Sequence, residues 1–90
     1  MPTYIVLGKL TNKAIETNKS TKERDAMVGK TIRDAGGTLL NYYYTIGRYD
    51  FIATLEMPSA EILTRVLLEM SRWGTMITET MTAINPVDMY

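Results

Sequence analysis

Apolar and polar positions along this chain change period several times, and each change marks an element. Tyr4-Ile5-Val6-Leu7 is a short apolar run with β-branched members, read as a buried first strand over about residues 3–10. Thr11-Asn12-Lys13 breaks that pattern, and Ala14 to Lys19 fits either one helical turn or a loop. After Ser20 the period is helical. Val28, Ile32 and Ala35 recur on one side with Met27 beside them, while Lys22, Arg24, Asp25, Lys30, Arg33 and Asp34 fill the rest. Ser20 and Glu23 have capping-box spacing, and Gly36-Gly37 stops the helix, so it runs over about residues 20–35.

Two runs rich in aromatic and β-branched residues come next, Leu39 to Tyr44 and Phe51 to Met57, with Gly47 the one turn-former between them. They predict a β-hairpin with strands over about 38–46 and 50–57. Pro58 ends the second strand and Ser59 is placed to cap a helix. In that helix Ile62, Leu63, Val66, Leu67, Met70 and Trp73 share a face, and Glu61–Arg65 and Glu69–Arg72 are spaced as ion pairs. Gly74 closes it. The last strand spans about 76–84, and a short tail runs from Asn85-Pro86 to Tyr90. The order βαββαβ predicts an α+β chain forming one domain over residues 1–90. Its fold is ferredoxin-like, a four-stranded antiparallel sheet with two helices on one face.

Two helices cover one face of such a sheet, so the other face is diagnostic. Alternation sends Phe51, Ala53 and Leu55 to the helices and leaves Asp50, Ile52, Thr54 and Glu56 opposite. For the preceding strand the assignment is Leu40, Tyr42, Tyr44 and Ile46 toward the helices and Leu39, Asn41, Tyr43 and Thr45 away. In the last strand Thr78, Thr80 and Thr82 are assigned to the helix-free face. Lys and Glu are scarce on that face, which implies a cover. A second copy is the simplest one, giving a dimeric α/β barrel with a partly polar interior.

Composition narrows the chemistry. Ten basic and ten acidic residues give zero net charge with no like-charge block, so nothing advertises a nucleic-acid or membrane surface. RNA binding by this element order would need exposed aromatics and a basic surround, and Asp50 to Leu55 is unlike that pattern. With no cysteine there is no disulfide or thiolate nucleophile, and with no histidine the usual neutral-pH acid/base and zinc or haem ligand is missing. The expectation is no metal and no cofactor. Neither a signal peptide nor a membrane-length apolar run is present, making the cytoplasm the default location.

The segment Tyr43-Tyr44-Thr45-Ile46-Gly47-Arg48-Tyr49-Asp50-Phe51 resembles the GYD-domain family through Gly47, Tyr49 and Asp50. The opening Met1 to Leu7, then Thr11, Arg24, Gly36-Gly37 and the closing Thr78-Glu79-Thr80-Met81 are also similar to it. The loop Asn12-Lys13-Ala14 departs from the acidic residue and Gln-Gly of many members, and Tyr42 to Tyr44 is more aromatic than usual. The resemblance implies a ferredoxin-like fold related to dimeric α/β-barrel proteins. It implies no activity.

The hairpin concentrates the candidate site residues: Tyr43, Thr45, Arg48, Tyr49 and Asp50, with Thr78 and Thr80 facing them by alternation. Asp50 has two readings. One is a buried carboxylate working as acid or base at the barrel mouth; the other, which weighs more, is a turn residue accepting backbone amides or pairing with Arg48 or Arg24. Tyr43 either binds a ligand or satisfies itself against Thr80 or a partner chain. Glu79, on the apolar parity of its strand, is expected to meet Lys9 or an arginine. A metal shared by Asp50 and Glu79 is excluded by that parity. The leading function is a self-associating protein that binds a small metabolite in or beside the barrel. The alternative is a cofactor-independent monooxygenase or isomerase using Asp50 and Tyr43, weakened by the absence of histidine.

Overall fold

The computed structural model describes residues 1–16 and 20–90. The strands are β1 (Thr3–Leu10), β2 (Thr38–Tyr44), β3 (Phe51–Glu56) and β4 (Met76–Ala83). The helices are α1 (Asn12–Glu16), α2 (Thr21–Asp34) and α3 (Ala60–Ser71), and a 3-10 turn follows at Pro86–Met89. All strand pairs are antiparallel in the order β2-β3-β1-β4, the ferredoxin-like arrangement. The ambiguous stretch after β1 contributes the short α1, which begins at Asn12; residues 17–19 lie outside those described.

Local signals place the long helices where the sequence predicts. The Ser20 hydroxyl accepts the Glu23 amide at 3.1 Å, and the Ser59 hydroxyl accepts the Ile62 amide at 3.2 Å. Val28 and Ile32 of α2 and Leu63, Val66 and Met70 of α3 pack with Tyr4, Val6, Ala53, Leu55 and Met57 in one core. Each valine, leucine, isoleucine or methionine among them contributes on the order of 1.5–3 kcal/mol by leaving water. Trp73 packs against that core from its edge. Glu69 and Arg72 approach to 3.7 Å, whereas Glu61 and Arg65 do not form the expected pair among the described residues.

Gly8 sits directly across from Phe51, whose ring occupies the space a Cβ would need, so only glycine fits this rung. Phe51 in turn stacks on Tyr42 with ring centres 5.8 Å apart and planes 12° from parallel. Between Val6, Val28, Phe51, Leu63, Met70 and neighbours lies a cavity of about 20 Å³ with an apolar lining. It has room for a methyl group or a water and not for a metabolite.

Strand parity holds in three places and fails in three. Phe51, Ala53 and Leu55 face the helices, and so do Tyr42 and Tyr44, opposite Ala53 and Phe51. Asn41 and Tyr43 face away, opposite Thr54 and Ile52, and the Asn41 amide donates to the Thr54 hydroxyl at 2.9 Å. Leu39 and Leu40 reverse the expectation. A bulge between Leu39 and Asn41 sets Leu39 opposite Leu55 on the core side and leaves Leu40 exposed. Ile46 is likewise no core residue, because β2 ends at Tyr44 and Ile46 stands fully exposed in the turn.

The larger correction is β4. Its register pairs Thr78 with Gly8, Thr80 with Val6 and Thr82 with Tyr4, so the threonines share the helix side with Val6 and Tyr4. Ile77, Glu79 and Met81 therefore belong to the helix-free face. β4 is an edge strand whose inner side is covered at Met76 and open at Thr80 and Thr82, so polar residues are tolerated there. The helix-free face gains Ile77 and Met81, which are 66% and 46% exposed, and is more apolar than alternation alone implied.

Candidate functional site

The hairpin loop, residues 45–50, lies at one end of the sheet and is held by three groups of its own. Gly47 adopts φ 122°, a conformation that favours glycine, and lets the chain reverse. The Thr45 amide donates to the Asp50 carbonyl at 2.8 Å, continuing the β2–β3 ladder, and the Thr45 hydroxyl donates to the Tyr49 carbonyl at 2.7 Å. These bonds turn the chain between Thr45 and Asp50 so that Tyr49 and Asp50 reach back toward β1.

Asp50 fills a place that the ladder leaves empty. Along β1, residues 4, 6 and 8 direct their main-chain groups toward β3, as does Leu10. Opposite Leu10 the chain has already left the sheet for the loop. The Asp50 carboxylate supplies the missing acceptor: Oδ2 takes the Leu10 amide at 2.8 Å, while the Asp50 amide donates to the Gly8 carbonyl at 2.8 Å. The geometry is that of a cap on a strand end. Pairing with Arg48 or Arg24 does not occur. Arg24 donates to the Ala14 carbonyl at 2.8 Å, and the Arg48 guanidinium lies 5.6 Å from the centre of the Tyr49 ring.

Tyr49 spans from the loop to the far edge. Its hydroxyl donates to Glu79 Oε2 of β4 at 2.5 Å, and the Lys9 ammonium sits 5.7 Å from its ring centre. Glu79 thus meets a tyrosine rather than a cation, and Lys9, expected beside Glu79, lies over the Tyr49 ring. The hydrogen bond to Glu79 is the chief cause holding the Tyr49 phenol above its ordinary pKa, with Arg48 opposing it. A second tyrosine network lies on the other side of the sheet. The Tyr44 hydroxyl donates to Asp25 of α2 at 2.7 Å, and the rings of Tyr42 and Tyr44 meet edge to face at 5.6 Å. Burial first, and then the Tyr44 and Asp25 neighbours, push the Tyr42 phenol well above its usual range.

The seven predicted site residues therefore separate. Thr45, Arg48, Tyr49 and Asp50 cluster at the loop, Tyr43 stands 61% exposed on the helix-free face, and Thr78 and Thr80 are on the opposite side of the sheet. Glu79 replaces the threonines as the β4 member of the loop cluster, and its apolar parity in the sequence was the signal. The parity objection to Asp50 and Glu79 sharing a face also falls, yet each carboxylate is engaged elsewhere, by Leu10 and by Tyr49. No group of three potential metal-ligating side chains occurs among the described residues. No helix among them is long and apolar enough to cross a membrane.

Known proteins share this architecture. A Thermus thermophilus protein named as a glutamine synthetase and cystathionine beta-lyase binding protein is 34% identical over 90 residues, 99% of this chain and 95% of that protein. The crystal structure of FFRP-DM1 superposes with a TM-score of 0.59 and 25% identity, covering 93% of this chain and all of that one. A hypothetical protein from Pyrococcus horikoshii has a TM-score of 0.58 at 24% identity, covering 94% of this chain and 92% of its own, a likeness of fold. The family model described as GYD domain matches residues 4–90. The match takes in the hairpin with Gly47, Tyr49 and Asp50 described above, and this chain belongs to the GYD-domain family.

Proposed function

We propose that this chain is a single non-catalytic binding domain of the cytoplasm that self-associates through its helix-free sheet face and engages other proteins. The observation that carries this reading is the composition of that face. Ile5, Leu7, Tyr43, Ile52, Ile77 and Met81 form an apolar field with no helix over it. A patch of this kind on a small protein marks an interaction surface. A two-fold copy fits it because the same residues serve both sides. The relative named for binding glutamine synthetase and cystathionine beta-lyase supports protein partners for the assembled form. An enzymatic reading is weakened by the structural task of Asp50, whose Oδ2 accepts the Leu10 amide at the strand end, and by the absence of histidine.

One observation favours a small ligand as well. The Tyr43 hydroxyl, the Asn41–Thr54 pair and Glu79 put polar groups on the mainly apolar face, where two sheets would enclose them. Thr45, Arg48, Tyr49 and Asp50 would then line the rim, without Thr78 and Thr80.

Light scattering tests the main reading. The wild-type chain is expected to run as a multiple of two of its 10.2 kDa mass at micromolar concentration. Ile52→Lys is expected to break the face contact while leaving the fold intact. A wild-type mass of one chain, or no change with Ile52→Lys, refutes it. Native mass spectrometry of the same sample reads any retained metabolite directly.

A further inference from the structure

The sheet has two outer edges, and they are built differently. On β2 the bulge at Leu40 interrupts the strand, a common way of blunting an edge against pairing. On β4 the register runs unbroken from Thr3↔Ala83 to Leu10↔Met76, with no proline and no lysine in the strand.

The direction of the β4 main chain follows from one bond. The Thr11 amide donates to the Thr75 carbonyl at 3.0 Å, one step past the Leu10↔Met76 rung, so these two residues form a hydrogen-bonded pair. Hydrogen-bonded pairs alternate along an antiparallel ladder. Ile77, Glu79, Met81 and Ala83 therefore spend their main-chain groups on β1. Met76, Thr78, Thr80 and Thr82 point theirs outward, away from the sheet. The strand's one ionisable side chain, Glu79, is drawn toward the hairpin by Tyr49.

We propose that this edge pairs antiparallel with β4 of a second copy of the chain about a two-fold axis at Thr80, joining two sheets into one of eight strands. A two-fold axis normal to the sheet places one residue opposite itself, and four choices lie near the strand centre. An axis at Met81 leaves Thr78 opposite Ile84 and Ile77 opposite Asn85, beyond the strand. An axis at Glu79 sets two carboxylates directly opposite, a destabilising arrangement. An axis at Thr78 leaves Thr82 opposite Gly74, beyond the strand. An axis at Thr80 sets Thr80 against Thr80, Thr78 against Thr82, Glu79 against Met81 and Ile77 against Ala83. Every threonine pair then falls where the main-chain groups point outward, so each exchanges both backbone hydrogen bonds. Thr–Thr neighbours are themselves favourable cross-strand pairs. Zero net charge offers no long-range repulsion to oppose the approach. This edge is a different surface from the helix-free face, and it stands or falls apart from the face contact.

Thr80→Pro tests the pairing. It removes an amide that β1 does not use, and edge strands tolerate proline where the N–H faces out. The assembly mass is expected to halve relative to wild type, with circular dichroism unchanged. This halving is independent of the Ile52→Lys effect, so failure of one contact is read separately from failure of the other. The absence of cysteine provides a second test that needs no proline. Thr80→Cys, facing its own copy, is expected to form a disulfide-linked pair at least about tenfold faster than Thr78→Cys, whose copies lie too far apart to bridge. Equal rates, or an unchanged mass in a folded Thr80→Pro protein, overturn the proposal. So does free amide exchange at Thr78, Thr80 and Thr82 that slows only when a foreign protein is added, which would assign the edge to a strand of another protein.

Discussion

The two faces of this sheet are made of similar residues and have opposite fates. On the helix side Tyr4, Val6, Phe51, Ala53 and Leu55 are all less than a tenth exposed. On the other side Ile5, Leu7 and Ile52 alternate with them along the same strands and are only partly covered, while Tyr43 and Ile77 stand more than half exposed. Residue type does not distinguish the faces; the presence of α2 and α3 does. One face is a finished core and the other is apolar and open. A substitution on the first should cost stability, and one on the second should change association.

The largest effect is expected at Phe51. Truncating it to alanine removes the ring over Gly8 and the stack on Tyr42, and should cost about 3–5 kcal/mol in chemical denaturation. Ile52→Lys, one residue along on the other face, should leave that curve nearly unmoved. If the two variants lose similar stability, the distinction between finished and open faces is wrong.

A smaller effect is expected at Asp50. Asp50→Ala leaves the Leu10 amide without its acceptor and should cost about 1–3 kcal/mol, whereas Asp50→Asn keeps an oxygen in place and should restore most of the loss. Measured side by side, the pair separates a strand cap from a working carboxylate. A cap tolerates asparagine in both stability and binding; a carboxylate whose charge matters does not.

The smallest effect is a pH dependence. Tyr42 holds its proton more tightly in the folded chain than when unfolded, because burial disfavours the phenolate. Its contribution is therefore fully present below the unfolded value near 10 and is lost progressively as pH rises above it. Tyr42→Phe retains the ring stack and should flatten the decline in melting temperature above about pH 10. An unchanged slope would show that Tyr42 is not the group responsible.

Much of this was readable in the sequence because the deciding interactions are local. The capping serines at 20 and 59, the stop at Gly36-Gly37 and the apolar stripe of α3 act within one helical turn, and the structure has them where the sequence puts them. The hairpin was equally legible as a site of crowding. What each member does there was not. Asp50 serves Leu10 and Tyr49 serves Glu79, partners 40 and 30 residues away that no local pattern connects. Thr78 and Thr80 were misplaced because alternation yields two sets per strand and no sign. Threonine is polar enough for a wet face, yet on an edge strand the inner side is wet too.

The order of the strands and long helices, the capped starts of α2 and α3 and the fold class are determined by the sequence itself, since each follows from spacing and caps that act between near neighbours. The tertiary structure alone decided register: which of two alternating sets faces the helices, where the bulge at Leu40 inverts that choice, and which carboxylate meets which donor. A strand's own residues fix the period of two, but only the strand across from it fixes the phase.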